Sequence, residues 1–86
     1  MNFPETEEEF RVLIGVAEVN AETWRKIAKR EIMLLKLYQS EEWIAEFGSD
    51  AAKEAVLRAR QAVEERKFYE EQVRHWETYL QEVIGS

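Results

Sequence analysis

Hydrophobic side chains recur at helical spacing through the first half of the chain. Steps of three and four residues from Phe10 reach one continuous series: Leu13, Ala17, Asn20, Trp24, Ile27, Glu31, Leu34 and Tyr38, then Glu41 and Ala45. This period is typical of an amphipathic α-helix. Thr6 and Glu9 have the spacing of a capping box, which places the helix start near Glu7. The pattern predicts a first helix over residues 7–46.

A break near residues 15–21 is the alternative to this continuous helix. Gly15, Asn20 and Thr23 all lower helix propensity, and Asn20 could cap a new helix. The apolar series keeps its register across this segment, whereas an inserted turn would usually shift it. The continuous helix is therefore favoured.

The second half of the chain predicts another long helix. Gly48 and Ser49 mark a helix end and a new start. Beyond them a heptad pattern runs to the end of the chain, as in a coiled coil, through Ala52, Ala55, Ala59, Ala62, Arg66, Tyr69, Val73, Trp76, Leu80 and Val83. A helix is expected over residues 50–84. The chain is thus predicted to be all-α, a single domain over residues 1–86, folded as a long antiparallel helical hairpin.

Two charged residues interrupt the apolar series, Glu31 in the first helix and Arg66 in the second. A turn centred between residues 48 and 49 would place them opposite each other. An ion pair between them would fix how the two helices align. In the alternative interpretation both side chains extend into solvent. An exposed ion pair of this kind contributes about 0–1 kcal/mol to the stability of the fold.

Several apolar residues fall on the side of the first helix that faces away from this hairpin contact. The predicted interaction surface consists of Val12, Val16, Val19, Met33, Leu37, Trp43 and Ile44. Trp43 is the strongest single candidate for an exposed contact. Leu57, Phe68 and Tyr79 form a weaker stripe on the second helix. Exposed apolar surface of this extent favours assembly into a four-helix bundle or larger oligomer. A first helix broken near residue 20 would instead fold back and cover part of it.

Composition limits the compartment and the partners. The chain has no cysteine, a net charge of −6 and no apolar run long enough to cross a membrane. We therefore expect a cytoplasmic protein without disulfides. Arg25, Lys26, Lys29 and Arg30 form a basic cluster between two acidic segments. Direct nucleic-acid binding is disfavoured because it requires a face of net positive charge.

No catalytic, cofactor-binding or metal-ligating residues are predicted. The chain has one histidine and lacks glycine-rich phosphate loops, so nucleophilic and nucleotide chemistry are disfavoured. Di-metal helical bundles use Glu-x-x-His motifs, but Gln72 stands three residues before His75. Glu71 and His75 are spaced to chelate a metal, yet a solvated pair on the helix exterior is the simpler interpretation.

These observations favour a non-enzymatic α-helical interaction module that self-associates and binds another protein. One alternative is a small acidic inhibitor, of the kind found in phage and mobile elements, that occupies a partner's nucleic-acid-binding surface. Its basis is the net charge of −6 and the small size. The other alternative is a carboxylate-rich helical bundle that binds a divalent metal.

Overall fold

The computed structural model describes residues 4–85 and contains three α-helices there. α1 spans Glu7–Tyr38, α2 spans Glu41–Phe47 and α3 spans Asp50–Gly85. α1 and α3 pack along each other as a hairpin, and α2 lies in the connection between them. No β-strand occurs within this range. The predicted all-α helical hairpin is confirmed.

The start of α1 is set by local hydrogen bonds. The Glu9 backbone N–H donates to Thr6 Oγ1 at 3.2 Å. The Glu9 carboxylate accepts from the backbone N–H of Glu5 at 2.9 Å, one residue before the position a standard capping box would use. Three glutamates in the first turn also stabilise the helix, because their negative charge interacts favourably with the positive end of its dipole. The predicted start at Glu7 is confirmed.

α1 is continuous through residues 15–21, so the alternative break there does not occur. The side chain of Asn20 donates to the carbonyl of Val16 at 3.0 Å. The hydroxyl of Thr23 donates to the carbonyl of Val19 at 2.9 Å. Both polar groups are thus satisfied by carbonyls one turn earlier, and the backbone remains helical through this segment.

The predicted end of the first helix at residue 46 is wrong, because α1 ends at Tyr38. The backbone turns at Gln39 and Ser40, and Ser40 caps α2 by accepting from the Trp43 backbone N–H at 3.2 Å. Glu41 and Glu42 occupy the first turn of α2, where the helix dipole favours negative charge. The apolar period continues into α2, so periodicity alone did not show this break.

Gly48 ends α2 with a backbone φ of +83°, a region that side chains with a Cβ rarely adopt. Its N–H donates to the carbonyl of Ile44 at 2.9 Å. α3 then begins at Asp50, as the sequence predicts. The helix end that the sequence predicts at Gly48 is confirmed, as the end of α2.

The connection determines which residues of α1 and α3 face each other. Because α1 ends at Tyr38 and α3 begins at Asp50, the midpoint of the connection is residue 44 rather than 48–49. This shift brings Arg58 to Glu31, with Arg58 Nε 3.2 Å from Glu31 Oε2. The predicted Glu31–Arg66 pair is therefore wrong. Arg66 instead lies 3.7 Å from a carboxylate oxygen of Glu70 on its own helix.

The hydrophobic core between α1 and α3 is narrow and consists mostly of alanine. It contains Phe10, Ala17, Ala21, Ala28, Ala52, Ala55, Ala59, Ala62 and Leu80. Small side chains at these positions allow the two helix axes to approach closely. Phe10 is the largest fully buried side chain, and its ring lies edge-on to Trp76 with centroids 6.1 Å apart. This contact closes the end of the hairpin that is distant from α2.

The hairpin is an extended rod, 62 Å long and 19 by 15 Å across. Its radius of gyration is 18.6 Å, compared with about 12 Å for a compact domain of this length. Its accessible surface is 6663 Å², compared with about 5,400 Å² for an ordinary monomer of the same mass. The single chain therefore exposes about 1,300 Å² more surface than a globular protein of its size.

Candidate interaction surface

Large apolar side chains are exposed along α1. Val12, Val16, Val19, Met33 and Leu37, which we call the outer face of α1, are each about half exposed or more, up to 67% for Val19. Ile44 in α2 is exposed at 40%. Six of the seven residues predicted to form an interaction surface are thus solvent-exposed in the single chain.

The outer face lies almost opposite the hairpin core. At about 100° per residue, the mean direction of Val12, Val16, Val19, Met33 and Leu37 differs by about 160° from that of the buried residues of α1. The helix therefore has one apolar stripe against α3 and a second on its far side. This arrangement explains why the segment from Trp24 to Tyr38 contains so many apolar residues.

Polar residues divide the outer face into two apolar patches. Steps of four and three from Val19 reach Thr23, Lys26 and Arg30 before Met33. These three polar side chains are all exposed. The outer face is therefore apolar near the start of α1, basic in the middle and apolar again near its end. Two exposed acidic residues, Glu5 and Glu8, come before the first apolar patch.

Trp43 differs from its predicted role as an exposed contact, because it is half-buried. The turn at Ser40 folds α2 back so that the Trp43 ring lies 4.9 Å from Tyr38 and 4.5 Å from Phe47, measured between centroids. Its indole Nε1 is buried and has no hydrogen-bond partner among residues 4–85. Trp43 holds α2 against the end of α1, and Phe47, at 62% exposure, is the exposed aromatic residue of this cluster.

Exposed apolar residues also occur on α3. Leu57 and Phe68 of the weaker predicted stripe are exposed, whereas its third member, Tyr79, is half-buried. Val83, assigned to the core from the heptad pattern, is instead 45% exposed. With the connection centred at residue 44, Val83 lies beyond the start of α1 at Glu7. The shorter first helix explains this error.

The remaining surface is charged and grooved. An open groove between the start of α1 and the end of α3 is lined by oppositely charged residues, among them Arg11, Glu18, Arg74 and Glu77. Towards the middle of the hairpin, Arg25 Nη2 lies 3.3 Å from Glu70 Oε1 and joins the two helices across their rim. An ion pair at the surface, such as Arg25–Glu70, contributes little to the stability of the fold.

The predicted metal-chelating pair lies on the exterior of α3. Glu71 and His75 are both exposed. The His75 ring contacts the rings of Trp76 and Tyr79, with centroids 5.4 and 4.7 Å apart. Across residues 4–85, no three His, Asp or Glu side chains are grouped so that they could hold a metal ion.

None of the three helices in the described range is both long and apolar enough to cross a bilayer. Comparison with protein-family models, with curated proteins and with solved structures found no match for this chain.

Proposed function

We propose that this chain is a non-enzymatic helical assembly module that self-associates through the outer face of α1 and also binds another protein. The observation that carries the proposal is the exposure of Val12, Val16 and Val19 on the far side of a helix whose other side already forms the core. Exposed apolar side chains repeated at helical spacing along one side of a helix are typical of helix–helix interfaces.

The size of the surface supports a second copy as one partner. The chain exposes about 1,300 Å² more than a globular monomer of its mass. A standard protein–protein interface removes about 800 Å² from each partner. An interface of this size would therefore remove more than half of the excess exposed area without any change in the fold.

The valines alone do not provide a stable dimer. Covering three half-exposed valines on each copy contributes about 5 kcal/mol. Loss of translational and rotational freedom on association costs about 4–15 kcal/mol. The free energy gained by burying the valines is thus similar in size to the entropy cost of association. The affinity therefore depends on the contacts around the valines.

Sedimentation velocity across a micromolar concentration series tests the proposal. A chain of 10.3 kDa is expected to sediment as a concentration-dependent dimer or larger species. Val16→Asp is expected to shift it to the monomer, because it places a charge in the apolar patch. Leu57→Asp, a matched change at an exposed leucine on α3, should leave association intact.

Wild-type protein that remains monomeric throughout the series contradicts the proposal, as does equal weakening by Val16→Asp and Leu57→Asp. Circular dichroism of each variant separates loss of association from loss of helix. Repeating the series at high salt tests the contribution of apolar contacts, since association through charges alone is lost under these conditions.

A further inference from the structure

Along α1, acidic residues precede the exposed valines and basic residues follow them. This arrangement of charge favours one relative orientation of two copies. We infer that α1 pairs with α1 of a second copy in antiparallel orientation, centred between Ala17 and Glu18. This inference rests on the proposed self-association. In this arrangement the acidic start of each α1 lies along the basic middle of the other.

The spacing of the charges carries the inference. The heptad steps that connect Val12, Val16 and Val19 continue backwards in α1 to Glu9 and forwards to Lys26 and Arg30. Glu5 lies two residues before α1, and its backbone N–H donates to the Glu9 carboxylate. An antiparallel pair centred between residues 17 and 18 places Val16 opposite Val19 of the second copy. The same centre places Glu9 opposite Lys26, and it brings Arg30 to the turn that precedes the other α1, where Glu5 lies. Each acidic position therefore meets a basic one.

A second line of charges flanks this contact with the same complementarity. Glu8 lies one position before Glu9, and Lys29 lies one position before Arg30. In antiparallel helix pairs such flanking residues approach each other across the interface. Glu8 of each copy therefore lies near Lys29 of the other, so the three acidic residues face three basic ones.

These charged groups are available for pairing in the single chain. Within residues 4–85, the side chains of Glu5, Glu8, Lys26 and Lys29 make no ion pair. Arg30 lies 4.0 Å from Glu31 and its side chain is 78% exposed. The Glu9 carboxylate accepts from the Glu5 N–H at 2.9 Å through Oε2, and its other oxygen is available for Lys26. Pairing with a second copy thus replaces water around these groups while the cap of α1 is kept.

Another antiparallel alignment is disfavoured by charge. Centring the pair between residues 24 and 25 would match Val12 with Leu37 and Val16 with Met33. It would also place Lys26 and Arg30 of both copies at the middle of the interface. Charged residues are depleted from interface centres and occur at the rim. The alignment centred on Val16 and Val19 has an apolar centre and a charged rim instead.

The favoured alignment gives a contact of useful length. Residues 7–28 of the two copies overlap, which corresponds to about 33 Å of helix, or about three heptads. Because the outer face lies opposite α3, the two hairpins meet edge to edge. The four long helices then lie side by side in the order α3, α1, α1, α3.

Complementary charge reversals test the alignment. One variant carries Lys29→Glu and Arg30→Glu, and the other carries Glu5→Lys and Glu8→Lys. Each alone is expected to dimerise about tenfold more weakly than wild type, because like charges then face each other. An equimolar mixture should associate about as tightly as wild type, since every altered charge meets its complement.

Lys53→Glu with Lys67→Glu is the matched control. Both lysines are exposed on α3 and lie away from the outer face of α1. This variant is expected to dimerise as wild type does. A wild-type dimer whose affinity resists the α1 reversals, or a mixture no tighter than its components, overturns the alignment while self-association stands. A monomeric wild-type chain overturns both.

Directed cross-linking distinguishes the two alignments even if charge reversal disturbs the fold. The chain has no cysteine, so any disulfide that forms must join two introduced cysteines. Val12→Cys mixed with Thr23→Cys should form an intermolecular disulfide faster than Val12→Cys mixed with Leu37→Cys. The opposite preference overturns the inference and supports the alignment centred between residues 24 and 25.

Discussion

Arg58 of α3 reaches across the hairpin to Glu31 of α1, with its Nε 3.2 Å from the carboxylate Oε2. Glu31 is the one charged residue in the buried part of the described chain, at 8% exposure. Arg58 is about half exposed, so its guanidinium keeps much of its contact with water. The pair links a buried carboxylate to solvent and marks how the two long helices align.

Loss of this pair is expected to destabilise the hairpin modestly. Glu31→Ala and Arg58→Ala should show a coupling energy of about 1 kcal/mol in a double-mutant cycle, because the exposed guanidinium weakens the interaction. Urea unfolding at one fixed protein concentration measures it. The cycle of Glu31→Ala with Arg66→Ala is the control and should give coupling within about 0.3 kcal/mol of zero. A larger value for Arg66 than for Arg58 would contradict the observed alignment.

Phe10 should be among the most sensitive apolar positions. It is 1% exposed and packs against Trp76, so Phe10→Ala is expected to lower the free energy of unfolding by about 3–5 kcal/mol. Phe68→Ala, at a residue 52% exposed, should cost under about 1 kcal/mol. Thermal unfolding followed by circular dichroism compares the two. Equal losses would show that the Phe10–Trp76 contact does not close the hairpin.

The same substitution at two glycines should change stability in opposite directions. Gly48 has a φ of +83°, so Gly48→Ala is expected to cost about 1–3 kcal/mol through backbone strain. Gly15 lies inside α1, where an added methyl group would meet no atom of another residue's side chain within 4 Å. Gly15→Ala should therefore add about 0.5–1 kcal/mol. Chemical denaturation of both variants provides the test, and a stabilising Gly48→Ala would contradict the turn geometry.

Removing the cap of α2 should affect that helix locally. Ser40→Ala deletes the acceptor for the Trp43 N–H, which is expected to cost about 1 kcal/mol. Hydrogen exchange should quicken at the amides of α2 and stay unchanged in α1 and α3. Ser49→Ala serves as the control, since the Ser49 hydroxyl makes no hydrogen bond within residues 4–85. Uniform exchange across all three helices would argue against an independent α2.

The sequence by itself determined the all-helical class, the starts of the two long helices and the direction of burial. Periodicity of three and four residues placed both long helices, and the Thr6 cap placed the start of α1 at Glu7. The same period separated the buried residues from Val12, Val16, Val19, Met33 and Leu37. These features are local, because a helix fixes the direction of each side chain from its own backbone geometry.

Tertiary structure decided where α1 ends and which residues meet across the hairpin. Ser40 is followed by two glutamates, as at a helix start, but Trp43 stands where a capping box has Glu or Gln, and the uninterrupted apolar period favoured a continuous helix. The fold-back of α2 depends on the contacts of Trp43 with Tyr38 and Phe47. It moves the midpoint of the connection to residue 44 and thereby exchanges Arg66 for Arg58 as the partner of Glu31. Periodicity specifies the face of each helix, whereas the length and path of the connection specify how the faces align.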